Sequence, residues 1–328
     1  MNFTTAIPFI DPFPFETSNI VLPECVLGIL LNSLLLIVIL QKPIINIRRR
    51  GCLTIISLAL ADLTSSIGGM GLCFYTIKER QDPANRWPVK SLLCIVHVGF
   101  SASFLMLFLL SVEVYIITKR PLTTHIILTR RKILIAIVSL WLVSLVIGSC
   151  NFWTEDYPFL ALSIVLVLLE FSVMAVTIFR IMVVYNIRRN RREVTDLMPS
   201  GSKSNNSGLT ASFLILFFVY LVTAFPYLVV EQVHFLYHLK PEWNISFDHA
   251  AISYTLVFVH VNYFINPIIY AYRMPHYRQD LISLFVSCCK TKRKSNVPNT
   301  PSSDKRTFEV FNMSAALRAS NENNSINV

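Results

Sequence analysis

Seven long apolar stretches constrain the fold of this 328-residue chain more than any other feature of its sequence. Each stretch can cross about 30 Å of hydrocarbon as an α-helix that rises about 1.5 Å per residue. Helices satisfy their backbone hydrogen bonds within one segment, as a membrane interior requires. Alternating segments of about 10 residues, typical of membrane β-barrels, do not occur in the sequence. The predicted spans are residues 20–41, 52–77, 91–118, 133–149, 158–187, 211–237 and 250–273.

The composition agrees with this interpretation. Hydrophobic residues make up 54% of the chain and charged residues 15%, which leaves too little charge to cover a soluble domain. We therefore predict an all-α membrane protein, with a seven-transmembrane helix bundle at residues 20–273 and a short amphipathic eighth helix at 274–289. Residues 1–19 are predicted to be an extracellular amino terminus, and residues 290–328 a disordered cytoplasmic tail rich in Ser, Thr, Asn and Lys.

The distribution of basic residues predicts the orientation. The connections after the first, third and fifth spans contain KPIINIRRR, KRPLTTHIILTRRK and RRNRREVTDLMPSGSK, whereas the other three contain few basic residues. Because Lys and Arg are enriched on the cytoplasmic side, we expect an extracellular amino terminus, a cytoplasmic carboxyl terminus and a multi-pass protein of the plasma membrane. The net charge of +10 then reflects topology and contact with anionic lipid, and does not indicate nucleic-acid binding.

This topology places three kinds of candidate modification site. Asn-x-Ser/Thr sequons outside the membrane can be glycosylated, and cysteines beside a basic segment just inside it are typical of lipidation. Cysteines at the outer ends of two spans can pair in an oxidising exterior. The candidates are Asn2 and Asn244 for glycosylation, Cys288 and Cys289 for palmitoylation, and Cys94 with Cys150 for a disulfide.

Few polar side chains interrupt the predicted spans. They are costly in hydrocarbon, so they usually face the interior of a bundle, and ionisable ones are functional candidates. Asp62 lies in the middle of the second span and Asn32 in the first. Asn262 and Asn266 lie in the seventh, where Pro267 frees a carbonyl one turn earlier. The alternative interpretation is that the asparagines only hold helices together and the prolines only kink them.

The order of these residues resembles the rhodopsin-like family of G-protein-coupled receptors, and the resemblance covers all seven spans. NPIIY, which ends at Tyr270, is similar to the family's Asn-Pro-x-x-Tyr motif, and LALAD, which ends at Asp62, is similar to its second-helix motif. Further landmarks are Asn32, Trp87, Trp141, Pro226, Tyr277 and Arg278. The resemblance implies a receptor in a lipid bilayer that carries a signal from an extracellular ligand to a heterotrimeric G protein or arrestin.

The segment SVEVYIITKRPL resembles the inner end of the family's third helix, where an acid, an arginine and a tyrosine precede a proline. Glu113 takes the place of the acid, and Val114 stands where the family has the arginine. In the family that arginine holds the inactive state and then contacts the G protein, so Val114 departs from the pattern of ordinary coupling. The activation motifs implied by the resemblance are Glu113, Val114, Tyr115, Pro226, Asn266, Pro267 and Tyr270.

The resemblance also implies a buried sodium site. Its residues here are Asp62, Ser103, Asn262 and Asn266. A cation at this position would lower the cost of burying the carboxylate of Asp62. The alternative is a hydrogen-bonded network around a protonated Asp62. No other cofactor is predicted.

The outer halves of the third, fifth, sixth and seventh spans are the predicted ligand pocket, because helix bundles bind small molecules between their helices. Candidate residues recur there, all but one of them polar or aromatic, and within the sixth and seventh spans spacings of three and four place them on common helical faces. They are His97 in the third span, Tyr227, Glu231 and His234 in the sixth, and Leu256 and His260 in the seventh. The alternative is that these side chains only pack.

Two other functions stay open from the sequence. A transporter or channel is indicated by Glu170, Arg180 and Glu231 at membrane depth, although the sequence lacks the internal repeats common in transporters. A non-signalling partner of another receptor would fit the arginine that is missing at Val114. Enzyme activity is not predicted, since no nucleophile, base and orienting group recur at a usable spacing.

Overall fold

A computed structural model describes residues 15–41, 51–78, 87–120, 123–153, 158–197, 207–239, 249–273 and 277–284. Within these ranges the chain is helical apart from a few turn and bend residues at helix ends, and it contains no strand. The long helices are α1 (Phe15–Gln41), α2 (Cys52–Lys78), α3 (Trp87–Lys119), α4 (Arg130–Trp153), α5 (Pro158–Leu197), α6 (Ser207–Leu239) and α7 (His249–Arg273). A single helical turn, Thr124–Ile127, lies between α3 and α4, and α8 covers residues 277–284.

Each of the seven predicted apolar segments lies within one of the helices α1–α7. Six of these helices are long and apolar enough to cross a membrane, namely all except α6. The described part of α6 contributes a shorter apolar segment, Leu221–Val233. The chain is therefore an all-helical protein with six candidate membrane-spanning helices. A seventh span and the amphipathic character of an eighth helix stay predictions.

The long helices pack into a closed ring. α1 packs against α2 and α7, α2 against α3, α3 against α5, α5 against α6, and α6 against α7. α4 packs mainly against α3 and lies beside the ring. Its exposed face carries large apolar side chains, as expected for contact with lipid. They are Leu134, Ile135, Val138, Leu142, Leu145 and Val146.

The closest approach between α2 and α3 occurs at Gly99. A Cβ atom at this position would lie 2.5 Å from the amide nitrogen of Ser65 and 2.7 Å from the carbonyl oxygen of Ala61. Both atoms belong to the backbone of α2 and have no side-chain freedom to move away. Gly99 therefore sets the distance between the helix that carries Asp62 and the helix that carries Ser103.

The chain divides into two units, residues 1–281 and 282–328, and the sites described below belong to the first. In α8, Tyr277 is buried, whereas Arg278 and Gln279 are exposed. Burial raises the pKa of the Tyr277 phenol to about 12, so this side chain stays neutral at physiological pH.

Candidate functional site

Asp62 joins three helices. One carboxylate oxygen accepts a hydrogen bond of 2.6 Å from the hydroxyl of Ser103 in α3, and the other accepts one of 2.7 Å from the amide of Asn266 in α7. The Asp62 side chain is 0% exposed, so these bonds replace the water that it loses on burial. The structure thus brings together three of the four residues predicted to form a sodium site.

The fourth predicted sodium ligand, Asn262, does not reach Asp62. Its amide donates to the carbonyl oxygen of Val259 in the same helix, at 3.2 Å. Hard cations prefer oxygen ligands, and Asp62 and Ser103 offer such atoms side by side. Asn266 would have to turn its amide to offer its oxygen as a third. Within the described ranges, no group of three His, Cys, Asp or Glu residues could hold a metal ion.

Asn32 completes the backbone hydrogen bonding of α7. Pro267 lies inside this helix and has no N–H, so the carbonyl of Tyr263, four residues earlier, loses its helical partner. The Asn32 amide nitrogen donates to that carbonyl at 2.5 Å and to the carbonyl of Gly28 at 2.9 Å. The freed carbonyl expected from the sequence is therefore present, and α1 satisfies it.

Glu113 is held by a neutral donor on a neighbouring helix. Its side chain is 1% exposed, and the hydroxyl of Thr54 in α2 donates a hydrogen bond to its Oε1 atom. Its Oε2 atom is buried and accepts no hydrogen bond from the described residues. Gly51 precedes α2 with a φ of 75°, and a Cβ atom there would lie 3.6 Å from Oε2. We call the region of Gly51, Glu113 and the end of α3 the Glu113 end of the bundle.

The nearest lysine in sequence does not pair with Glu113. Lys119 donates to the hydroxyl of Tyr115 at 2.7 Å, and its ammonium lies 5.2 Å from the centre of the Tyr115 ring. The same ring meets Phe179 of α5 at a centroid distance of 5.4 Å. Val114 is 2% exposed, so the position where the receptor family has an arginine is a buried aliphatic side chain.

Among the predicted ligand-binding residues of α6, Tyr227 faces α3. Tyr227 forms a hydrogen bond with the side chain of Glu231, which is itself buried. The Tyr227 ring meets Phe100 of α3 edge-on, with the ring centres 6.2 Å apart. His97 lies three residues before Phe100 in α3 and is half-buried. The structure describes the backbone of His234 in α6 but not its side chain.

The predicted ligand-binding residues of α7 face α1 and α2. The Nδ1 atom of His260 lies 2.8 Å from the carbonyl oxygen of Leu256, and Nε2 lies 3.6 Å from the position of a Cβ on Gly69 in α2. Leu256 packs against an apolar cluster formed by α1, α2 and α3. Tyr263 contacts the His260 ring at 5.0 Å and interacts electrostatically with Tyr227, so it connects the two patches. No sequence feature marked Tyr263 as a site residue, although it stands between Asn262 and Asn266.

The predicted disulfide is not formed. Cys94 carries a free thiol, and the thiol of Cys150 donates to the carbonyl oxygen of Val146 in its own helix at 3.4 Å. The two helices are nevertheless in backbone contact here, because a Cβ atom on Gly148 would lie 2.8 Å from the carbonyl oxygen of Cys94. The direction of the Cys150 side chain, rather than the distance between the helices, explains the difference.

One cation lies in the interior of the ring. Arg180 of α5 is 2% exposed and interacts electrostatically with Tyr270 of α7. From the sequence, Arg180 was predicted only as support for a transporter. The pattern that indicates an interior position for it is a single cation within the apolar run FRIMVVY. No sequence pattern indicated Thr54 as the hydrogen-bond partner of Glu113.

Four predicted sites lie outside the described residues, namely Asn2, Asn244, Cys288 and Cys289. No protein-family model matches the chain, and no curated protein matches it either. The class of protein therefore follows from the fold alone. The chain is an all-helical, multi-pass membrane protein with a buried polar junction at Asp62.

Proposed function

We propose that the chain is a receptor of the rhodopsin-like G-protein-coupled class, which passes a signal from an extracellular ligand to a heterotrimeric G protein or arrestin at the plasma membrane. The junction at Asp62 carries this proposal. Its two hydrogen bonds tie α2 to α3 and to α7 in the interior of a closed ring. A buried carboxylate with partners on two other helices gives the bundle a polar centre whose bonding differs between helix arrangements.

Two groups of side chains, Tyr227 with Glu231 in α6 and Leu256 with His260 in α7, give a ligand a route to this junction. Pro226 lies inside α6 and removes one helical hydrogen bond next to Tyr227. A ligand that contacts Tyr227 and Glu231 would therefore act beside the weakest point of α6. If it bound one arrangement of α6 more tightly than another, it would shift the population of the bundle toward that arrangement.

The first experiment is a ligand screen at matched surface expression, with arrestin recruitment and nucleotide exchange as readouts. We expect at least one ligand to give a response in one of the two readouts. Absence of any response, combined with substrate uptake or ion conductance in reconstituted vesicles, would favour a transporter or channel instead.

A sodium ion at the Asp62 junction is part of the same proposal. Agonist affinity should change when sodium replaces choline, and both Asp62→Asn and Ser103→Ala should abolish that change. Asp62→Asn removes the negative charge and one oxygen of the carboxylate, and Ser103→Ala removes the hydroxyl oxygen. Ser111→Ala is the matched control, since Ser111 is also a buried serine of α3 but bonds only to the carbonyl of Leu107. If the agonist affinity of the wild-type receptor is the same in sodium and in choline, no sodium ion binds at this junction.

The second candidate function is a non-signalling partner of another receptor. The buried Val114 favours it, because the position directly after Glu113 in α3 carries no cation. Val114→Arg would place a guanidinium beside Glu113 and, for a receptor that still couples, should raise stimulated nucleotide exchange, while Val114→Ala should change little. Exchange that stays absent in all three proteins would favour the non-signalling partner.

A further inference from the structure

Among the side chains of α5 that the structure describes, Arg180 is the most buried large polar one. A guanidinium keeps its charge at any physiological pH and offers only donors, so burial at 2% exposure requires acceptors or negative charge nearby. Arg180 lies directly after Phe179, whose ring packs against Tyr115 near the end of α3. It therefore belongs to the Glu113 end of the bundle, at the level of Val114, where α3 has an aliphatic side chain instead of a cation.

Tyr270 presents an unused oxygen in the same interior. The residue is 1% exposed, and its hydroxyl makes no hydrogen bond with the described residues. Buried hydroxyls are normally bonded, so this group marks a place where a contact or an ordered water is expected. Tyr270 interacts electrostatically with two charged side chains, Asp62 of α2 and Arg180 of α5. The phenol thus lies in the field of an acid and a base that belong to different helices.

From these observations we infer that Arg180 is a positioning residue that holds α5 to α7 across the interior of the ring, by donating to the hydroxyl oxygen of Tyr270 through one water. α5 and α7 are not neighbours in the ring, since α6 lies between them. The pair therefore supplies a cross-ring connection that helix packing does not. Its donor direction is fixed, because arginine has no acceptor.

The connection extends the junction at Asp62. Asp62 ties α2 to α3 and α7, and Tyr270 lies one helical turn beyond Asn266, so a bond from Arg180 would add α5 to the same network. Arg180 would then act in place of the cation that Val114 does not provide. Its effect on signalling rests on the proposed receptor function, whereas its effect on the bundle does not.

A double-mutant cycle on the full chain in detergent micelles tests the pairing without any signalling assay. The variants are Arg180→Met, which keeps an unbranched apolar stem but removes the guanidinium and its charge, Tyr270→Phe, and both together. If the two side chains interact, the double variant should lose less melting temperature than the sum of the two single losses, by about 2–4 °C. The matched control cycle uses Tyr263→Phe, which also removes a buried tyrosine hydroxyl from α7, and it should be additive within about 1 °C.

Additive losses in both cycles would overturn the pairing. If Arg180→Met does not fold, Arg180→Lys replaces it, because a single ammonium donor should weaken the effect of Tyr270→Phe without removing the charge. An unchanged effect of Tyr270→Phe in the Arg180→Lys protein would also overturn the pairing. A coupled cycle in a protein that gives no G-protein or arrestin response would keep the pairing and reject the receptor function.

Discussion

At the residue scale, the Glu113 carboxylate depends on one neutral donor. Replacing Thr54 by valine keeps the shape of the side chain and removes the hydroxyl that bonds Oε1. Both carboxylate oxygens would then be buried without a donor among the described residues. We expect Thr54→Val to lower the free energy of unfolding by about 1–3 kcal/mol, measured by denaturant or thermal unfolding in micelles.

Thr54→Ser is the control for this prediction, because serine keeps the hydroxyl and removes only a methyl group. It should lose much less stability than Thr54→Val. Equal stability of the valine and serine proteins would mean that Glu113 obtains its hydrogen bond from another source.

The sequence predicts the site at Glu113 but not its partner. A lone acid in an apolar run is conspicuous, whereas a threonine in a membrane helix usually bonds the carbonyl of its own helix four residues earlier. Thr64, Thr177 and Thr255 do so here. Thr54 lies in the first turn of α2, where the helix has no carbonyl four residues earlier, so it cannot make that local bond. Its hydroxyl reaches Glu113 because α2 and α3 lie side by side, and that arrangement is a tertiary property which no local pattern encodes.

At the scale of helices, the bond between Asn32 and the carbonyl of Tyr263 exists because Pro267 removes the amide that would otherwise satisfy it. Asn32→Ala should therefore lower the melting temperature of the wild-type chain. In a Pro267→Ala chain the restored amide can bond Tyr263, so the same substitution should cost less by about 1 kcal/mol. The measurement is a thermal double-mutant cycle. Equal losses in the two backgrounds would show that the effect of Asn32→Ala does not depend on Pro267.

The contact between α2 and α3 allows a second test. Gly99→Ala would drive a methyl group into the backbone of α2 at Ser65 and Ala61, so the helices must separate. We expect a loss of about 1–3 kcal/mol in the free energy of unfolding. Gly71→Ala is the matched control, because a Cβ atom there meets only the movable end of the Leu92 side chain, at 2.6 Å. Similar losses for both variants would contradict this account of the interface.

The positions of the helices and some of their ends could be predicted from apolar length, but the ends that extend beyond the apolar segment could not. The fifth predicted span ends at residue 187, whereas α5 continues to Leu197 through the polar sequence RRNRREVTDL. Hydropathy detects the part of a helix that lies in hydrocarbon and misses turns that extend into water, where Arg, Asn and Glu remain compatible with a helix. The first helix similarly begins at Phe15 rather than at residue 20.

At the scale of the whole molecule, the charge distribution predicts a cytoplasmic carboxyl terminus and an outer loop that contains Asn244. An epitope at the carboxyl terminus should bind antibody only after the cells are permeabilised. Asn244→Gln should remove a glycan and increase electrophoretic mobility, while Asn205→Gln, in a sequon of an inner connection, should not. Labelling of the tail on intact cells would reverse the orientation.

The predicted ligand pocket depends on arrangement more than on residue type. The sequence grouped His260 and Leu256 with Tyr227 and Glu231, because all four lie in the outer halves of their spans. The structure turns the α7 pair toward α1 and α2, and it turns the α6 pair toward Phe100 of α3. Helical spacing identifies residues on one face, but the direction of that face follows from which helices are neighbours in the ring.

The bond between Asn32 and Tyr263 joins residues 231 positions apart, and this separation has a consequence for biogenesis. At a synthesis rate of about 5–20 residues per second, α1 enters the membrane roughly 10–45 s before Tyr263 is made. Until the first helix docks, the carbonyl of Tyr263 faces lipid with no donor. We therefore expect contact between the first and last long helices to be the step that commits the newly made chain to its native form. A nascent chain arrested before α7 should leave α1 mobile and accessible to quality-control proteases.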